Sequence, residues 1–418
     1  MRTVTATRRQ TVVMLTTSYP RFPGDGVATF MEPIARGVAA RGHEVHVVAP
    51  WHPQIRRPDE GAVHFHFYRY APIRALNVFG YAAALTADVA LRPAAYLVAP
   101  LALAAGWRAV RRVARETGAT VLHAHWVIPS GLMAAASGVG LPLVVSLHGS
   151  DVFVAEAHSV ARRAARFAFR RAGWITACSE DLRRRAIDIG ADPERLTVVP
   201  YGVDGDRFKP NPATRARVRA SRGLDDDDRV VVAAGRLVRK KGFEYLIEAV
   251  GSLAARWPRL TLVIAGSGDL EAELRGQTTA LGLATQVRFE GAVTQPQVAE
   301  WLAAADVAVV PSVRDDAGNV DGLPNIVLEA LVSGTPVVAT PAGGIATVAV
   351  DGETALVVPE RDAAALARAL ERLLADPARG RALGRSARDT VRRTHDWSRV
   401  AGRFEESYER AAGVKVSG

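Results

Sequence analysis

The chain has 418 residues, of which 49% are hydrophobic and 23% charged, as expected for a globular protein of two or three domains. Cys178 is its only cysteine, which excludes an internal disulfide framework and a cysteine-based metal cluster. The net charge of +10 lies entirely in residues 1–203, which carry 24 Arg and 14 acidic residues. That excess fits either a solvated surface or a basic face toward anionic lipid or a phosphorylated acceptor. Nucleic-acid binding is disfavoured, because no recognised motif accompanies the charge.

Membrane and export signals are weak along the chain. The apolar residues near the start are too few for a signal-peptide core and predict a first buried strand. The longest charge-free apolar stretch, between Arg92 and Arg108, has 15 residues and two prolines, which is short for a membrane span. We therefore expect a cytoplasmic protein without a transmembrane anchor.

Apolar β-branched runs alternate with Ala-, Arg- and Leu-rich helical patterns along the chain. The runs predict strands at Val12–Thr16, Glu44–Ala49, His64–Tyr68, Val121–His125, Leu143–Leu147, Ile175–Cys178, Leu196–Val199, Arg229–Ala233, Leu260–Ala265, Val287–Glu290, Val307–Val310, Pro336–Ala339 and Ala355–Val358. Helical patterns include Phe30–Arg41, Val160–Arg171, Gly242–Arg256, Asp269–Leu281 and Ala363–Asp376. This alternation predicts α/β architecture with two doubly wound parallel sheets.

The interval 201–228 is rich in Gly, Pro and Asp, and we interpret it as an interdomain connection followed by a turn. Asp204-Gly-Asp206 and the run Asp225–Asp228 match the short Asp-x-Asp metal motif. That pattern is common by chance, so we disfavour a metal there. A two-domain enzyme of this kind would bind its ligands in the cleft between the domains.

Three loops after predicted strands carry residues suited to a phosphorylated sugar. Pro23-Gly-Asp-Gly26 follows the first strand and allows close backbone approach to a ligand, although a plain tight turn has the same pattern. His148 ends another strand, where an imidazole can donate to a sugar hydroxyl or bond to backbone. Arg236 and Lys241 could clamp a diphosphate, Arg as a fork and Lys as a point charge, although an isolated basic loop is more often simply solvated.

The most informative stretch runs from Asp321 to Glu329, two carboxylates eight positions apart. Continuous helix would separate them by roughly 12 Å. Gly322 and Pro324 instead favour a turn that folds Asp321 back toward a helix N-terminus, where free N–H groups attract phosphate. Glu329 lies in an apolar run, and a buried acid needs partners. The spacing fits a sugar-nucleotide site, with one acid on sugar hydroxyls, the other on a ribose and a diphosphate at the helix end. A helix-capping Asp and a surface Glu have the same pattern.

These residues, in this order, resemble the retaining GT-B glycosyltransferases of family four, the group 1 glycosyl transferases. The resemblance rests on the first glycine loop, His148-Gly-Ser-Asp151, Tyr201-Gly-Val-Asp204, Gly235–Gly242 and Asp321…Glu329. It implies a GT-B fold, with two Rossmann-like domains facing across a cleft. Residues 1–203 would form the acceptor-binding domain, with a crossover helix at 397–418, and residues 204–396 the nucleotide-sugar-binding domain.

The resemblance also implies a role for each site residue. Gly26 would approach the donor phosphates, and His148 would contact the transferred sugar. Arg236 and Lys241 would hold the diphosphate, and Glu329 would bind the ribose. Asp321 would take sugar hydroxyls beside the backbone of Gly322, Leu323 and Pro324. Neither a cofactor nor a divalent metal is implied, because cationic side chains and a helix N-terminus take that role.

The expected reaction is transfer of a hexose from a UDP- or GDP-sugar with retention at the anomeric carbon. The family more often has Glu at the first acid. Asp321 is one methylene shorter, so donor preference and rate are expected to differ more than the activity itself. A GT-B sugar-nucleotide epimerase and a non-catalytic GT-B scaffold are the alternatives. The scaffold is disfavoured because the charged site residues are all present.

The acceptor is expected to be a saccharide or a lipid-linked saccharide, in polysaccharide or glycolipid assembly. The helical pattern Val160–Arg171 contains five Arg with Phe167 and Phe169, which suits peripheral contact with an anionic membrane at its inner face. A core-facing helix with a wet basic side has the same pattern. The apolar segment Ala71–Trp107 belongs to the same half of the chain.

Overall fold

The structure, a computed structural model, describes residues 9–71, 73, 76, 77, 80, 81 and 93–413. The chain divides into two compact units. The N-terminal unit comprises Met1–Pro200 with Trp397–Gly418, and the C-terminal unit comprises Tyr201–Asp396. Each contains one parallel sheet with helices, which confirms the predicted α/β, doubly wound class. Part of the segment Ala71–Trp107 and residues 414–418 of the predicted last helix lie outside the described residues.

The N-terminal unit is built on a seven-stranded sheet. Its strands are β1 (Thr11–Leu15), β2 (Glu44–Pro50), β3 (Val63–Tyr68), β4 (Val121–His125), β5 (Leu143–Leu147), β6 (Trp174–Ala177) and β7 (Leu196–Val198). Its helices are α1 (Met31–Ala40), α2 (Pro93–Glu116), α3 (Leu132–Ala135), α4 (Ser150–Ala157), α5 (Ser159–Arg171) and α6 (Glu180–Ile189), joined by the C-terminal helix α14 (Trp397–Gly413).

The C-terminal unit is built on a six-stranded sheet. Its strands are β8 (Arg229–Ala234), β9 (Leu260–Ala265), β10 (Val287–Gly291), β11 (Val307–Val310), β12 (Val337–Ala339) and β13 (Leu356–Val357). Its helices are α7 (Pro212–Ser221), α8 (Phe243–Leu253), α9 (Glu271–Ala280), α10 (Gln295–Ala304), α11 (Asn325–Val332), α12 (Ala363–Ala375) and α13 (Pro377–Thr394).

Strand order places a switch point in each sheet. The orders are β3-β2-β1-β4-β5-β6-β7 and β10-β9-β8-β11-β12-β13, with every pair parallel. The chain builds outward from β1 and then returns to its other side with β4, and it does the same around β8 with β11. Ligands of such sheets bind at the carboxyl ends of the strands beside this reversal. The central strands are continuous buried apolar runs, as burial on both faces requires.

Helix α14 is anchored on the N-terminal unit by apolar and ionic contacts. Phe404 and Tyr408 are buried in its core. Glu405 is buried beside them, and its carboxylate accepts from Arg41 and from His43 Nε2, the latter at 3.0 Å. His43 Nδ1 accepts a backbone N–H from Gln10 at 3.0 Å, so its proton lies on Nε2. A buried acid with two donors is satisfied and fixes the helix in register.

Residues 201–228 are more regular than the sequence indicated. Pro212–Ser221 forms α7, where Asn211 caps the helix by accepting the Thr214 N–H at 3.0 Å. Buried Arg219 donates to Asp306 at 2.7 Å. The interval thus contains a helix in addition to the predicted connection and turn, and the sequence did not indicate it because a short Arg-rich helix with few apolar residues shows little hydrophobic periodicity. Its cap was the available signal.

Candidate active site

Asp321 lies in the loop between β11 and α11, and two ammonium groups reach its carboxylate. Lys241 Nζ is 2.6 Å from Oδ2, and Lys240 Nζ is 3.3 Å from Oδ1. Burial by itself would raise the pKa of Asp321, but the charges of Lys241 and Lys240 outweigh it and hold that pKa far below its usual range. The carboxylate is therefore ionised, and the three groups together leave one positive charge in excess.

The two lysines are carried on a short turn that docks against the chain leaving β11. The turn Arg239–Lys241 ends at Gly242, which has φ +64°. A Cβ at Gly242 would lie 2.1 Å from the Pro311 carbonyl oxygen, so only glycine allows this approach. The Val313 N–H also donates to the Lys240 carbonyl at 2.9 Å. Side chains 80 positions apart are brought together in this way.

The backbone of Asp321 rests on a second glycine turn. The Gly344 N–H donates to the Asp321 carbonyl at 3.2 Å. A Cβ at Gly344 would lie 1.7 Å from the Gly322 carbonyl oxygen. Gly322 and Leu323 are buried there, and Pro324 occupies the N-cap position of α11 without a capping side chain. The loop and the start of the helix are thus held as one piece.

Glu329 lies on α11 and is only 8% exposed. Its Oε1 accepts from Gln295 Nε2 at 3.4 Å. Burial raises the pKa of Glu329 to about 7, although the Arg207 charge and the Gln295 hydrogen bond oppose it. The two acids of the motif therefore lie in opposite environments, Asp321 beside cations and Glu329 in an apolar helix. Arg236, also of this unit, is an exposed residue just after β8.

His148 follows β5 in the N-terminal unit and is held among aromatic rings. Its Nε2 lies 3.0 Å from His125 Nδ1, and the two rings are nearly parallel. The rings of Phe30 and Trp126 lie 4.7 and 4.8 Å away, measured between centroids. Burial, with repulsion from His123, lowers the pKa of His148 to about 3. The imidazole is therefore neutral, a hydrogen-bonding group rather than a cation.

Asp151 fixes the backbone around His148. Its buried carboxylate accepts the N–H groups of Val127 at 2.7 Å, Gly149 at 3.0 Å and His148 at 3.3 Å. Burial raises the pKa of Asp151 against the opposing effect of these backbone donors. One side chain thereby ties the loop after β4 to the loop after β5.

Gly26 lies in the loop after β1, close to an ion pair that shapes the loop. Arg21 Nε and Nη2 donate to the two oxygens of buried Asp25 at 2.6 and 2.8 Å. Gly26 is exposed, and a Cβ added there would meet no atom within 4 Å. In this loop Gly24, with φ +86°, and Ala28, with φ +49°, have positive φ, whereas Gly26 does not, so Gly26 is not required by backbone strain.

Three residues of these clusters escaped sequence reasoning: Lys240, His123 and His125. Lys240 had the same signal as its neighbour Lys241. His123 and His125 alternate along β4, and a spacing of two places both on one face of a strand that borders the switch point.

The Asp-x-Asp look-alikes have local partners. Asp204 Oδ1 accepts the N–H groups of Asp206 and Arg207 at 3.0 and 2.9 Å. Asp225 and Asp228 pair with Arg259. Over the part of the chain that the structure describes, no group of three or more His, Cys, Asp or Glu side chains is arranged to hold a metal ion.

Two family models together span most of the chain. Glycosyl transferases group 1 matches residues 214–390, and Glycosyltransferase Family 4 matches residues 24–207. A GDP-mannose-dependent alpha-(1-6)-phosphatidylinositol monomannoside mannosyltransferase of Mycolicibacterium smegmatis is 36% identical over 265 residues, which cover 63% of this chain and 69% of that protein. The chain belongs to the group 1 glycosyltransferase family.

Other relatives agree with this assignment. A D-inositol 3-phosphate glycosyltransferase of Pseudarthrobacter chlorophenolicus is 37% identical over 54% of this chain and 53% of its own. Anabaena HepE, solved in complex with UDP, superposes with a TM-score of 0.76 at 21% identity and covers 96% of this chain and 99% of its own. The predicted GT-B fold and the family resemblance are confirmed, and the protein is a glycosyltransferase.

No helix among residues 93–413 or in the described part of residues 9–81 has the length and hydrophobicity needed to cross a bilayer.

The raised pKa of Glu329 predicts a pH-dependent stability. The folded state binds the Glu329 proton more tightly than the unfolded chain does, because the pKa of Glu329 is about 7 when folded and 4.5 when unfolded. The stability that the folded state gains from this tighter proton binding is fully present below about pH 4.5 and is lost as the pH rises through about 7. Glu329→Gln should therefore gain stability relative to the wild type between pH 5 and pH 8, by up to about 3 kcal/mol.

Urea unfolding at pH 5 and pH 8 measures this difference. Exposed Glu248→Gln is the control, for which we expect the same difference from wild type at both pH values. A Glu329→Gln effect that does not change with pH would contradict a buried carboxyl with a raised pKa.

Proposed function

We propose that this glycosyltransferase is a retaining, metal-independent hexosyltransferase. It moves a hexose from a UDP- or GDP-sugar to a saccharide or lipid-linked acceptor, in polysaccharide or glycolipid biosynthesis. The observation that carries the proposal is Asp321, ionised between Lys240 and Lys241 at the carboxyl ends of β8 and β11. Two similar proteins support it. The mycobacterial relative is a GDP-mannose-dependent transferase that acts on phosphatidylinositol monomannoside, and HepE was solved in complex with UDP.

The C-terminal unit would hold the donor. Lys241 and Arg236 bind the diphosphate and offset the charge that develops as it leaves. Asp321 accepts from the sugar hydroxyls beside the backbone of Gly322, Leu323 and Pro324, and Glu329 binds the ribose. Lys241 Nζ also donates to Asp321 Oδ2 at 2.6 Å. A diphosphate competes for that ammonium group and frees the carboxylate for the sugar, so binding assembles the site.

Two loops of the N-terminal unit carry further residues for the donor. Gly26 presents backbone to the donor phosphates, and the open space around its Cα allows such an approach. His148 contacts the transferred sugar as a neutral imidazole, because its low pKa excludes a cationic role near neutral pH. No cofactor is needed for this reaction.

Retention follows from attack on the leaving-group face. The bond from the anomeric carbon to the phosphate oxygen breaks, the acceptor oxygen bonds to the same face, and the leaving phosphate takes the acceptor proton. The step needs no nucleophile from the enzyme, and Glu329 is not assigned that role. We expect the product to keep the anomeric configuration of the donor when proton NMR coupling constants are compared. An inverted product would contradict this mechanism.

Nucleotide binding should appear as a thermal shift. UDP, GDP, ADP, CMP and their sugar conjugates are screened with EDTA present, since a ligand that binds the native state raises Tm by mass action. We expect one nucleoside diphosphate, at a saturating concentration, to raise Tm by several degrees. Arg236→Ala should abolish this increase in Tm.

Arg239→Ala is the matched control, because Arg239 lies in the same loop but pairs with Glu273 at 2.7 Å. It should keep the shift. Absence of a shift with every nucleotide would favour the scaffold alternative, and a shift that requires a divalent metal would contradict metal independence.

We further propose that the enzyme works in the cytoplasm at the inner face of an anionic membrane, through α5. The helix carries five Arg and no acidic residue, and Val160 at its start is 74% exposed. Arg163 and Arg170 lie on its exposed face. Phe169 is buried in the core, so the expectation that its ring contributes to membrane contact is wrong. Half-buried Phe167 lies beneath the Arg171 guanidinium.

Co-sedimentation with anionic liposomes at low salt tests the membrane contact. Replacing Arg163 and Arg170 with Gln removes two charges from the exposed face and should lower partitioning about 30-fold, at about 1 kcal/mol per charge. The control replaces Arg385 and Arg392, exposed residues with the same spacing on α13, and should partition like the wild type. Equal losses in both variants, or no retention of wild type, would contradict a contact through α5.

A further inference from the structure

His125 is completely buried at the end of β4 and stands between two other imidazoles. Its Nδ1 lies 3.0 Å from His148 Nε2. Its ring centroid is 4.1 Å from that of His123 and 5.2 Å from that of His148. Its second nitrogen, Nε2, is also buried and meets no hydrogen-bond partner among the described residues.

The unpartnered nitrogen determines where the proton lies. A neutral imidazole carries one N–H, and on Nε2 of His125 that donor would be buried without an acceptor, which is costly. A proton on Nδ1 of His125 instead donates to His148 Nε2. Only a lone pair on His125 Nε2 is then left unpaired, which costs less than an unpaired buried N–H. His148 Nε2 must accept in this pair, so the proton of His148 itself lies on Nδ1.

The surroundings keep the three rings neutral. Burial lowers the pKa of His123 to about 3 and, with repulsion from His123 and His148, holds that of His125 well below its usual value. His123 is held at both nitrogens by hydroxyl groups, Tyr408 at 2.9 Å and Ser146 at 2.7 Å. It therefore has no nitrogen left for His125, and the ring contact between them only fixes the plane of His125.

We infer that His125 is a positioning residue, which fixes His148 as its Nδ1–H tautomer and thereby defines the edge of that ring that can donate a hydrogen bond. The use of that donor for the transferred sugar rests on the proposed function. The tautomer itself does not.

NMR of the protein with 15N-labelled histidine tests the tautomer directly, without donor or acceptor. Long-range proton–nitrogen spectra distinguish protonated from bare ring nitrogens, and the His148 signals among ten histidines are those lost in His148→Gln. We expect an Nδ1–H tautomer in the wild type and its loss, in favour of Nε2–H, in His125→Phe. An Nε2–H tautomer in the wild type, or an unchanged tautomer in His125→Phe, would overturn the inference.

A second histidine pair supplies a matched control. His46 Nδ1 lies 3.1 Å from His66 Nε2 on β2 and β3 of the same sheet, and His46 is 6% exposed. His46→Phe removes an equivalent hydrogen bond and should leave the His148 signals unchanged. If His46→Phe changes them as His125→Phe does, the effect is a general loosening of the sheet and the inference fails.

Transfer kinetics then separate positioning from packing. His125→Phe should lower kcat/KM about 10- to 100-fold, the cost of one lost hydrogen bond. His125→Asn places an amide N–H near the position of Nδ1 and should recover activity to within about threefold of wild type. An Asn variant as impaired as the Phe variant, at equal Tm, would show that the donated hydrogen bond is not what matters. If no transfer occurs with any donor, the glycosyltransferase chemistry fails while the NMR result still decides the role of His125.

Discussion

Burial of parallel strands on both faces is the constraint on which this molecule depends. A strand such as β9 or β11 has no solvent-facing side, so its polar and charged neighbours can only follow it in the loops. Parallel strands bring those loops to one edge of the sheet. The reversal between β1 and β4, and between β8 and β11, separates the adjacent loops and leaves room for a ligand. The residues with functional chemistry lie at these ends for that reason.

The C-terminal unit shows how one short motif produces two acids of opposite character. Asp321 lies in a loop within reach of Lys240 and Lys241, and their charges outweigh the cost of its burial. Glu329, eight residues later, is turned into an apolar helix where Gln295 and distant Arg207 only partly oppose burial. Because the Asp321 carboxylate is paired with lysine ammonium groups, a diphosphate can replace it as their partner. A carboxyl that titrates near pH 7 gains from a ligand hydroxyl that stabilises its ionised form.

Around His148 the N-terminal unit solves a different problem, because the buried polar groups there pair with neutral partners. Neutral imidazoles and hydroxyls satisfy one another there, from Tyr408 on α14 to Ser146 and Thr176 in the sheet. Asp151 takes backbone donors in place of a cation. Such networks hold side chains in one arrangement because any rotation leaves a buried polar atom unpaired. Rigidity around His148 is the expected consequence.

The strand positions, the α/β class and the residues of the Asp321–Glu329 motif were predictable from the sequence, because buried strands and turn glycines leave a local signal. The sequence did not indicate α7, whose Arg-rich pattern hides its helical period. It left open whether the helix with Phe169 faces a membrane or the core, since periodicity alone does not say which face of a helix meets the core. The contacts of Lys240 with Asp321 and of His125 with His148 were not predictable from the sequence. Those contacts join residues 81 and 23 positions apart through the sheet register and through backbone approaches at Gly242 and Gly344, which no local pattern encodes.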